Sequence, residues 1–248
     1  MERITSNQNP LLRHIRKLQS SRSYREEMGE FVADGFKLLE EAVKWYPKLK
    51  TVIVSESCQL PSVPEGVRLV QVPASTMESL SSMKSPQGVV FTGELPKKAD
   101  LSVKKGALLL DRIQDPGNLG TILRTADALE IPVILTNGCA DPFSEKTIRA
   151  SMGAVFRTAV QSASMEEILH CCKEQNIPIA ATALTEKAHD LRDINLKDHL
   201  VVIGSEGQGI CDALLEASQE QIIIPMQARC ESLNAAVAAT VVMWEMKR

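Results

Sequence analysis

The sequence predicts an α/β protein whose larger part is a parallel sheet with helices on both faces. In the second half of the chain, short apolar runs alternate with stretches of helical periodicity, which is typical of a parallel sheet. These runs are almost continuously apolar, as expected for strands that are buried on both faces. The chain has 248 residues, of which 44% are hydrophobic, enough for one large domain or two small ones.

The chain divides into two predicted domains joined by a linker. Residues 1–94 predict a small α/β domain that is helical from Asn9 to about Tyr46, with breaks near Ser20–Ser23 and at Gly29. Short strands are expected at 51–56, 67–73 and 88–94, with a helix between the last two. The segment LPKKADLSVKK, residues 95–105, is polar and contains a proline, so it is the predicted linker.

Residues 106–248 form the predicted second domain. Its strands are expected at 107–111, 132–137, 154–160, 177–184, 199–204 and 221–226. Its helices are expected at 118–130, 144–152, 164–176, 210–218 and 232–247. Ligands of such sheets bind beyond the carboxyl ends of the strands. We therefore expect the chemistry in the loops 112–118, 204–209 and 226–232.

Composition and charge exclude several classes of protein. The net charge is −3, so any nucleic-acid binding requires a local basic patch. The six cysteines form no CxxC pair and the four histidines lack metal-ligand spacing, which predicts free thiols and no metal site. No apolar run has the length of a membrane span or a signal peptide. We therefore expect a cytoplasmic protein that does not bind membranes.

The segment DRIQDPGNLGTILRTADALEIP, residues 111–132, does not fit a dinucleotide-binding loop. Its glycines are spaced GxxG, and the next strand ends in Asn137-Gly138 without the acidic residue that holds a ribose. Asn118 is a candidate helix cap. The apolar positions of the following helix lie on one face, and Arg124 projects almost opposite that face. Arg124 is thus either an ordinary surface arginine or a group that reaches over the strand ends.

Two further segments carry candidate functional groups. GSEGQG, residues 204–209, is a glycine-rich turn in which Glu206 can accept hydrogen bonds; an ordinary tight turn with a solvated glutamate is the alternative. The last helix is apolar nearly all round, so either the fold or a second subunit must cover it. Ser232 is its predicted cap. Asn234 is either a helix-start amide or a group that faces a ligand.

Together and in this order, the three segments resemble the motifs of the TrmH (SpoU) family of RNA ribose 2′-O-methyltransferases. NLGTILR provides Asn118 and Arg124, and GSEGQG provides Gly204, Glu206 and Gly209. The third motif is a strand ending in Ile224-Pro225-Met226, followed by Ser232-Leu233-Asn234. Each motif alone is weak, but the resemblance spans residues 107–247 and is strong as a set.

The first domain resembles the family's substrate-binding module, which has an L30e-like fold and binds RNA. The resemblance rests on Arg25, Gly29, Phe31 and Gly35, while Asp34 stands where glutamate is usual. Independently, residues 3–25 carry six basic and no acidic side chains, a local patch suited to phosphate. A solvated helix face is the alternative. The predicted RNA-binding residues are Arg13, Arg16, Lys17, Arg22 and Arg25.

The resemblance implies a deep trefoil knot in the second domain, a homodimer through that domain, and S-adenosylmethionine as the methyl donor. It implies that the cofactor is held by Gly204, Ile224 and Leu233, with Gly209, Met226 and Thr182 alongside them. It also implies a catalytic set consisting of Arg124, Asn118, Glu206, Ser232 and Asn234. One departure is visible: Ala235-Ala236 follows Asn234 where the family often has Val-Ser.

The role of Arg124 has two interpretations. In the family, the corresponding arginine is assigned the role of accepting the proton of the ribose 2′-hydroxyl, although arginine is effectively always protonated. Alternatively, it is a cation that orients a substrate phosphate and stabilises the developing alkoxide.

The expected substrate is RNA, with 23S ribosomal RNA favoured because of the additional N-terminal module. The alternatives are a tRNA 2′-O-methyltransferase and a non-catalytic RNA-binding or ribosome-assembly factor on the same scaffold. A cysteine-dependent base methyltransferase using Cys230 is a weaker rival, since nothing in the sequence identifies a base to activate that thiol.

Overall fold

The structure, a computed structural model, describes residues 1–97, 99–227, 229–230 and 232–248. The chain forms two compact units, and the first of them joins two separate stretches of sequence. The first unit consists of Met1–Lys97 and Asp141–Arg157, and the second of Lys98–Ala140 and Thr158–Arg248. Residues 141–157 lie within the predicted second domain, whereas in the structure they pack with the first unit. Elements are numbered below in chain order through both units.

A mixed sheet forms the centre of the first unit. Its strands are β1 (Glu2–Arg3), β2 (Glu30–Asp34), β3 (Leu49–Ser55), β4 (Arg68–Val72) and β5 (Val89–Glu94), in the order β1-β4-β3-β5-β2. β4 pairs in parallel with β1 and β3, whereas β5 is antiparallel to β3 and β2. The helices are α1 (Pro10–Ser20), α2 (Arg22–Met28), α3 (Phe36–Trp45), α4 (Ala74–Leu80) and, from the second stretch, α6 (Glu145–Ala150).

The predicted helical region from Asn9 to Tyr46 is only partly correct. Its two breaks are confirmed, because Ser21 caps α2 and Gly29 ends it in the left-handed conformation, with φ of 63°. The prediction is wrong for Glu30–Asp34, which forms strand β2 against β5. Four of these five residues are buried. Such a short apolar run between helices cannot be assigned from periodicity alone.

The second stretch of the first unit completes its aromatic core. The Phe31 ring lies 5.4 Å from the Tyr46 ring, 5.3 Å from Phe143 and 5.7 Å from Phe156, measured between centroids. Phe31 is fully buried. Rings at these separations add to the free energy of burial through edge and offset contacts. Residues 141–157 are therefore part of the first unit's core.

The sheet of the second unit confirms the predicted parallel architecture. Its strands are β6 (Leu108–Asp111), β7 (Val133–Thr136), β8 (Val160–Ala163), β9 (Ile179–Thr182), β10 (His189–Asp190), β11 (Leu200–Gly204) and β12 (Glu220–Ile223). They lie in the order β10-β12-β9-β11-β6-β7-β8, and each neighbouring pair is parallel. β6 and β11 are central and carry fully buried leucines and valines, as their apolar sequences predict.

The helices of the second unit begin close to their predicted positions. They are α5 (Pro116–Ala128), α7 (Met165–Glu174), α8 (Asp212–Ala217) and α9 (Ala235–Lys247). None of the described helices is both long and apolar enough to span a bilayer. The predicted strand at 154–160 is wrong except for its last residue: Ala154–Phe156 is a 3₁₀ turn of the first unit, and β8 begins only at Val160. Gly153 precedes it with φ of 81°, a conformation that interrupts an extended chain.

Two predicted helix caps are also wrong. Asp115, not Asn118, caps α5, and its carboxylate accepts the Asn118 amide at 2.8 Å. Pro116 occupies the first turn, where its missing N–H costs nothing, so the cap falls on the residue before it. Asn234, not Ser232, caps α9 and accepts from the amides of Ala236 and Val237.

Candidate active site

The three predicted segments meet at the carboxyl ends of the central strands of the second unit. Asp111, the last residue of β6, lies in register with Gly204, the last residue of β11. α5 follows β6 after a short loop, and the glycine-rich turn follows β11 directly. This is the edge at which parallel α/β sheets bind ligands.

One carboxylate oxygen joins the three segments. Oε1 of Glu206 accepts hydrogen bonds from Nδ2 of Asn118 at 3.0 Å and from Nδ2 of Asn234 at 2.8 Å. It also accepts the backbone amide of Ala235 at 2.9 Å. Asn234 Nδ2 lies 3.1 Å from Asn118 Oδ1 as well. Asn118, Glu206 and Asn234 are thus brought together as the sequence predicts.

The start of each helix fixes the orientation of its asparagine. Asn234 Oδ1 accepts the amides of Ala236 and Val237, so its Nδ2 must face the other way, toward Glu206. Asn118 lies in the first turn of α5, where its own amide is held by the Asp115 carboxylate. Charge-assisted hydrogen bonds to a carboxylate are stronger than neutral ones, which favours this arrangement.

The turn that carries Glu206 requires two of its glycines, Gly204 and Gly209. A Cβ atom on Gly204 would lie 2.3 Å from the carbonyl carbon of Gly209, so no other residue fits there. Gly209 has φ of 63°, in the left-handed region that favours glycine. Ser205 and Gly209 exchange backbone hydrogen bonds of 3.2 and 2.9 Å, which close the turn.

Arg124 lies on the exposed face of α5, as its position opposite the apolar stripe predicts. It lines a hollow of about 400 Å³ together with residues of α5 and α9. The hollow is lined by Thr121, Arg124, Thr125, Ala128, Leu129, Thr240 and Trp244. Within the described parts of the chain, the Arg124 guanidinium makes no hydrogen bond or ion pair, so it is not joined to Glu206.

The remaining predicted site residues are less engaged with this cluster. Ser232 is exposed, and its hydroxyl has no hydrogen-bond partner among the residues that the structure covers. The Thr182 hydroxyl donates to the carbonyl of Val202 at 2.9 Å, so it ties β9 to β11. The apolar residues Ile224, Met226 and Leu233 are half-buried and follow β12 along the chain.

Sequence reasoning missed two residues beside the glycine-rich turn. Asp111 is 1% exposed and accepts hydrogen bonds from the Cys211 amide at 2.8 Å and from the Thr136 hydroxyl at 3.1 Å. The neighbouring Arg112 donates to both oxygens of Asp111 and to Gln208 Oε1 at 2.9 Å. The available signal was a charged pair placed directly after the apolar run LLL.

Arg25 is not available for RNA binding, contrary to the prediction. It is 6% exposed, and its guanidinium lies 2.6 Å from Asp141 Oδ2 in an ion pair. It also donates to the carbonyl of Leu18 at 2.6 Å. A buried arginine paired in this way joins two stretches of the first unit and has no free donor surface to offer a phosphate.

The other four predicted RNA-binding residues lie on α1 and α2. Arg13, Lys17 and Arg22 are exposed, and Arg16 is half-buried against the carbonyl of Asn7 and the hydroxyl of Ser79. Lys17 also lies over the ring of Tyr24. Among the described residues, no group of three or more His, Cys, Asp or Glu side chains is placed to hold a metal ion.

Comparison with known proteins agrees with this geometry. Residues 105–244 match the SpoU rRNA Methylase family, and residues 9–90 match the MRM3-like substrate binding domain. The chain is 30% identical to the 23S rRNA (guanosine(2553)-2′-O)-methyltransferase RlmP of Bacillus subtilis, over 100% of both chains. It is 30% identical to a 23S rRNA (uridine(2479)-2′-O)-methyltransferase of Streptomyces viridochromogenes, over 99% of this chain and 92% of that one.

A solved structure extends the likeness to the fold. The AdoMet-bound rRNA methyltransferase from Sinorhizobium meliloti superposes with a TM-score of 0.88 at 30% identity, covering 100% of this chain and 97% of that one. The fold and the site therefore define an RNA methyltransferase that uses S-adenosylmethionine. Within that class, the chain belongs to the SpoU rRNA methylase family, which confirms the resemblance found in the sequence.

The residues at the strand ends fit this cofactor. The turn after β11 exposes main-chain groups, because Gly207, Gln208 and Gly209 are all exposed. Half-buried apolar side chains at Ile224, Met226 and Leu233 suit an adenine ring. When bound, S-adenosylmethionine supplies an electrophilic methyl group that needs no metal.

Proposed function

We propose that the protein methylates a ribose 2′-hydroxyl of 23S ribosomal RNA. The observation that carries this proposal is that the Glu206 carboxylate accepts hydrogen bonds from Asn118 and Asn234, which belong to the two other segments. A scaffold that had lost its activity would not need a carboxylate bonded to three donors at an exposed strand end. Both full-length relatives described above are 23S rRNA 2′-O-methyltransferases by name.

In this proposal Asn118, Glu206 and Asn234 hold the ribose, and Ser232 completes the pocket with its exposed hydroxyl. Gly204, Gly209, Thr182, Ile224, Met226 and Leu233 hold the cofactor. Positioning a hydroxyl in line with an electrophile supplies a large part of the rate in such transfers. The asparagine amides offer the donors and acceptors that a ribose hydroxyl requires.

Arg124 acts in this scheme as a cation. Its guanidinium is exposed to solvent, and arginine in such a setting keeps its charge. It orients the phosphate beside the target ribose and stabilises the alkoxide that develops as the 2′-hydroxyl proton leaves to water. The version in which Arg124 itself accepts that proton is the alternative.

The active form in this proposal is a homodimer built through α5 and α9. Val237, Val241 and Trp244 of α9 are 50%, 39% and 67% exposed, an apolar strip that a second copy would bury. The hollow lined by Arg124 and Trp244 lies on the same surface. A partner seated there would place its own groups beside Arg124. The trefoil knot and the cytoplasmic location remain predictions.

The first unit contributes RNA binding through basic side chains of its first two helices. Arg13, Arg16, Lys17 and Arg22 lie on adjacent helices and are suited to phosphate contacts. The two named relatives modify a guanosine and a uridine, so family membership does not fix the base. The target nucleotide therefore depends on the shape of the RNA that this unit holds.

The test is direct. Purified protein, S-adenosylmethionine and either 23S rRNA or total tRNA are incubated, and 2′-O-methyl positions are mapped. We expect one new position in 23S rRNA and none in tRNA. Methylation of tRNA alone would establish the tRNA alternative. Absence of any product, together with absence of cofactor binding by calorimetry, would establish the non-catalytic alternative.

A further inference from the structure

Arg112 adopts a backbone conformation that its residue type disfavours. Its φ is 55°, in the left-handed region, where the Cβ atom of any residue other than glycine crowds the backbone. Strain of this kind persists only where the surrounding structure holds it, and it often marks a functional position. Glycine would be free of the strain, so the arginine side chain must contribute something that glycine cannot.

The Arg112 side chain is committed to the glycine-rich turn. Its Nη1 donates to Gln208 Oε1 at 2.9 Å, and its Nη2 lies 3.4 Å from the carbonyl oxygen of Gly209. The same guanidinium donates to Asp111 through Nε at 3.2 Å and through Nη2 at 3.0 Å. The hydrogen bond to Asp111 raises the pKa of the guanidinium, which therefore stays charged.

Asp111 holds the other end of the turn. Its Oδ2 accepts the amide of Cys211, which follows the turn, at 2.8 Å. Thr136, at the end of β7, donates its hydroxyl to Asp111 and accepts the Arg112 amide, each at 3.1 Å. A buried carboxylate needs all of these partners, because an unpaired one is costly. The carboxyl ends of β6 and β7 and both ends of the turn are therefore tied together.

We propose that Asp111 and Arg112 form a positioning clamp that holds residues 204–210 in the conformation that binds the cofactor and presents Glu206. Three glycines in six residues make this turn intrinsically adaptable. Gln208 and Gly209 are the last two residues of the glycine-rich turn. Arg112 donates a hydrogen bond to each of them, so the clamp restrains this part of the turn. The clamp acts through the turn and touches no reacting atom. Only the methylation rate depends on the proposed function, because it requires the proposed RNA substrate. Cofactor affinity is measured without RNA and tests the clamp by itself.

The decisive variant is Arg112→Gly. Glycine relieves the backbone strain, which offsets part of the cost of removing the ion pair with Asp111. Asp111 keeps its hydrogen bonds from Thr136 and Cys211, so the variant should fold. Loss of the clamp should weaken the affinity for S-adenosylmethionine by about 10-fold or more in calorimetry, because the turn is no longer pre-organised. The amides of 205–210 should also exchange with solvent faster than in the unmodified protein.

Glu130→Gly is the matched control. Glu130 has φ of 52° in the same unit and follows Leu129, the residue that caps the carboxyl end of α5. That substitution should relieve the same kind of backbone strain and leave cofactor affinity and methylation rate unchanged. Arg112→Lys, which keeps the charge but not the forked geometry, should give an intermediate affinity.

Two results would overturn the proposal. One is an Arg112→Gly variant that binds S-adenosylmethionine as tightly as the unmodified protein does. The other is an equal loss of cofactor affinity in Arg112→Gly and Glu130→Gly. If the unmodified protein binds the cofactor but methylates no 23S rRNA, the proposed substrate is wrong. The affinity and exchange measurements would still test the clamp in that case.

Discussion

The Glu206 carboxylate couples parts of the chain that are far apart in sequence. Its Oε1 accepts from Asn118, 88 residues earlier, and from Asn234, 28 residues later. Three donors on one oxygen leave it little freedom to rotate, although the side chain is exposed. A single side chain thus sets the relative placement of two helix starts, which explains why the three segments must occur together.

At the same scale, Arg124→Ala should separate chemistry from cofactor binding. Removing a cation that stabilises a developing oxyanion lowers kcat by about 100-fold or more. Affinity for S-adenosylmethionine should stay within about 2-fold, because the Arg124 side chain makes no hydrogen bond or ion pair with the turn among the described residues. Calorimetry and methylation rates on 23S rRNA measure the two effects. Arg124→Lys should recover part of the rate; an alanine variant at full rate would refute the role.

The pH dependence of stability should contain a contribution from Asp34. Burial raises the pKa of this carboxyl, opposed by the hydrogen bond from Ser81, and its Oδ1 has no described partner. The folded state therefore binds the proton more tightly than the unfolded state. The free energy of unfolding falls as pH rises from the unfolded pKa of about 3.9 to the raised folded value, then levels off.

Asp34→Asn should remove this term. The amide oxygen can still accept from Ser81, so the variant should gain stability relative to the unmodified protein as pH rises through that window. Urea unfolding of both proteins across acidic to neutral pH measures the difference. A difference that is constant with pH would show that Asp34 titrates alike in both states.

At the scale of elements, the start of α9 separates capping from site assembly. Asn234 Oδ1 caps the helix, while its Nδ2 bonds to Glu206. Asn234→Ser should keep the cap, and Asn234→Ala should lose about 1 kcal/mol of stability. Both variants lack the amide nitrogen, so both should lose methylation to a similar extent. Urea unfolding and initial rates test this, and full activity in Asn234→Ser would contradict it.

Elements were predictable where burial alone determines them. The runs LLL in β6 and VVI in β11 are fully buried and lie at the centre of the sheet. Their continuous apolar sequence is therefore enough to predict buried strands. β2 was not predictable, because its pairing with β5 depends on residues some 60 positions away. The caps shifted because Pro116 and Ala235 begin their helices one or more residues away from the expected position.

The candidate site also contains residues whose placement the sequence predicts and residues whose placement it does not. The placement of Asn118, Glu206 and Asn234 follows from segments that each come after an apolar strand, so the sequence contained it. The left-handed conformation of Arg112 could not be predicted, because it depends on Gln208 and Gly209 in the glycine-rich turn and on Thr136 at the end of β7. The burial of Arg25 likewise depends on Asp141, in the other stretch of its unit.

At the scale of the whole molecule, Trp244→Glu should abolish the proposed dimer. A carboxylate buried without a partner in an apolar interface is strongly unfavourable. Light scattering after size-exclusion chromatography should give the dimer mass for the unmodified protein and the monomer mass for the variant. Trp45→Glu is the matched control, since Trp45 is 49% exposed on the first unit and should leave the mass unchanged. A Trp244→Glu dimer would refute this interface.

The first unit is built from two separate stretches of sequence, and this has a consequence for its folding during synthesis. Its core needs Phe143 and Phe156, and its Arg25 needs Asp141, so the unit lacks part of its interior until residue 157 has left the ribosome. Domains otherwise fold in order as they emerge. Here β6, α5 and β7 of the second unit are translated before the first can be completed. The two units must therefore mature together, and a truncation after residue 97 would expose the aromatic cluster to water.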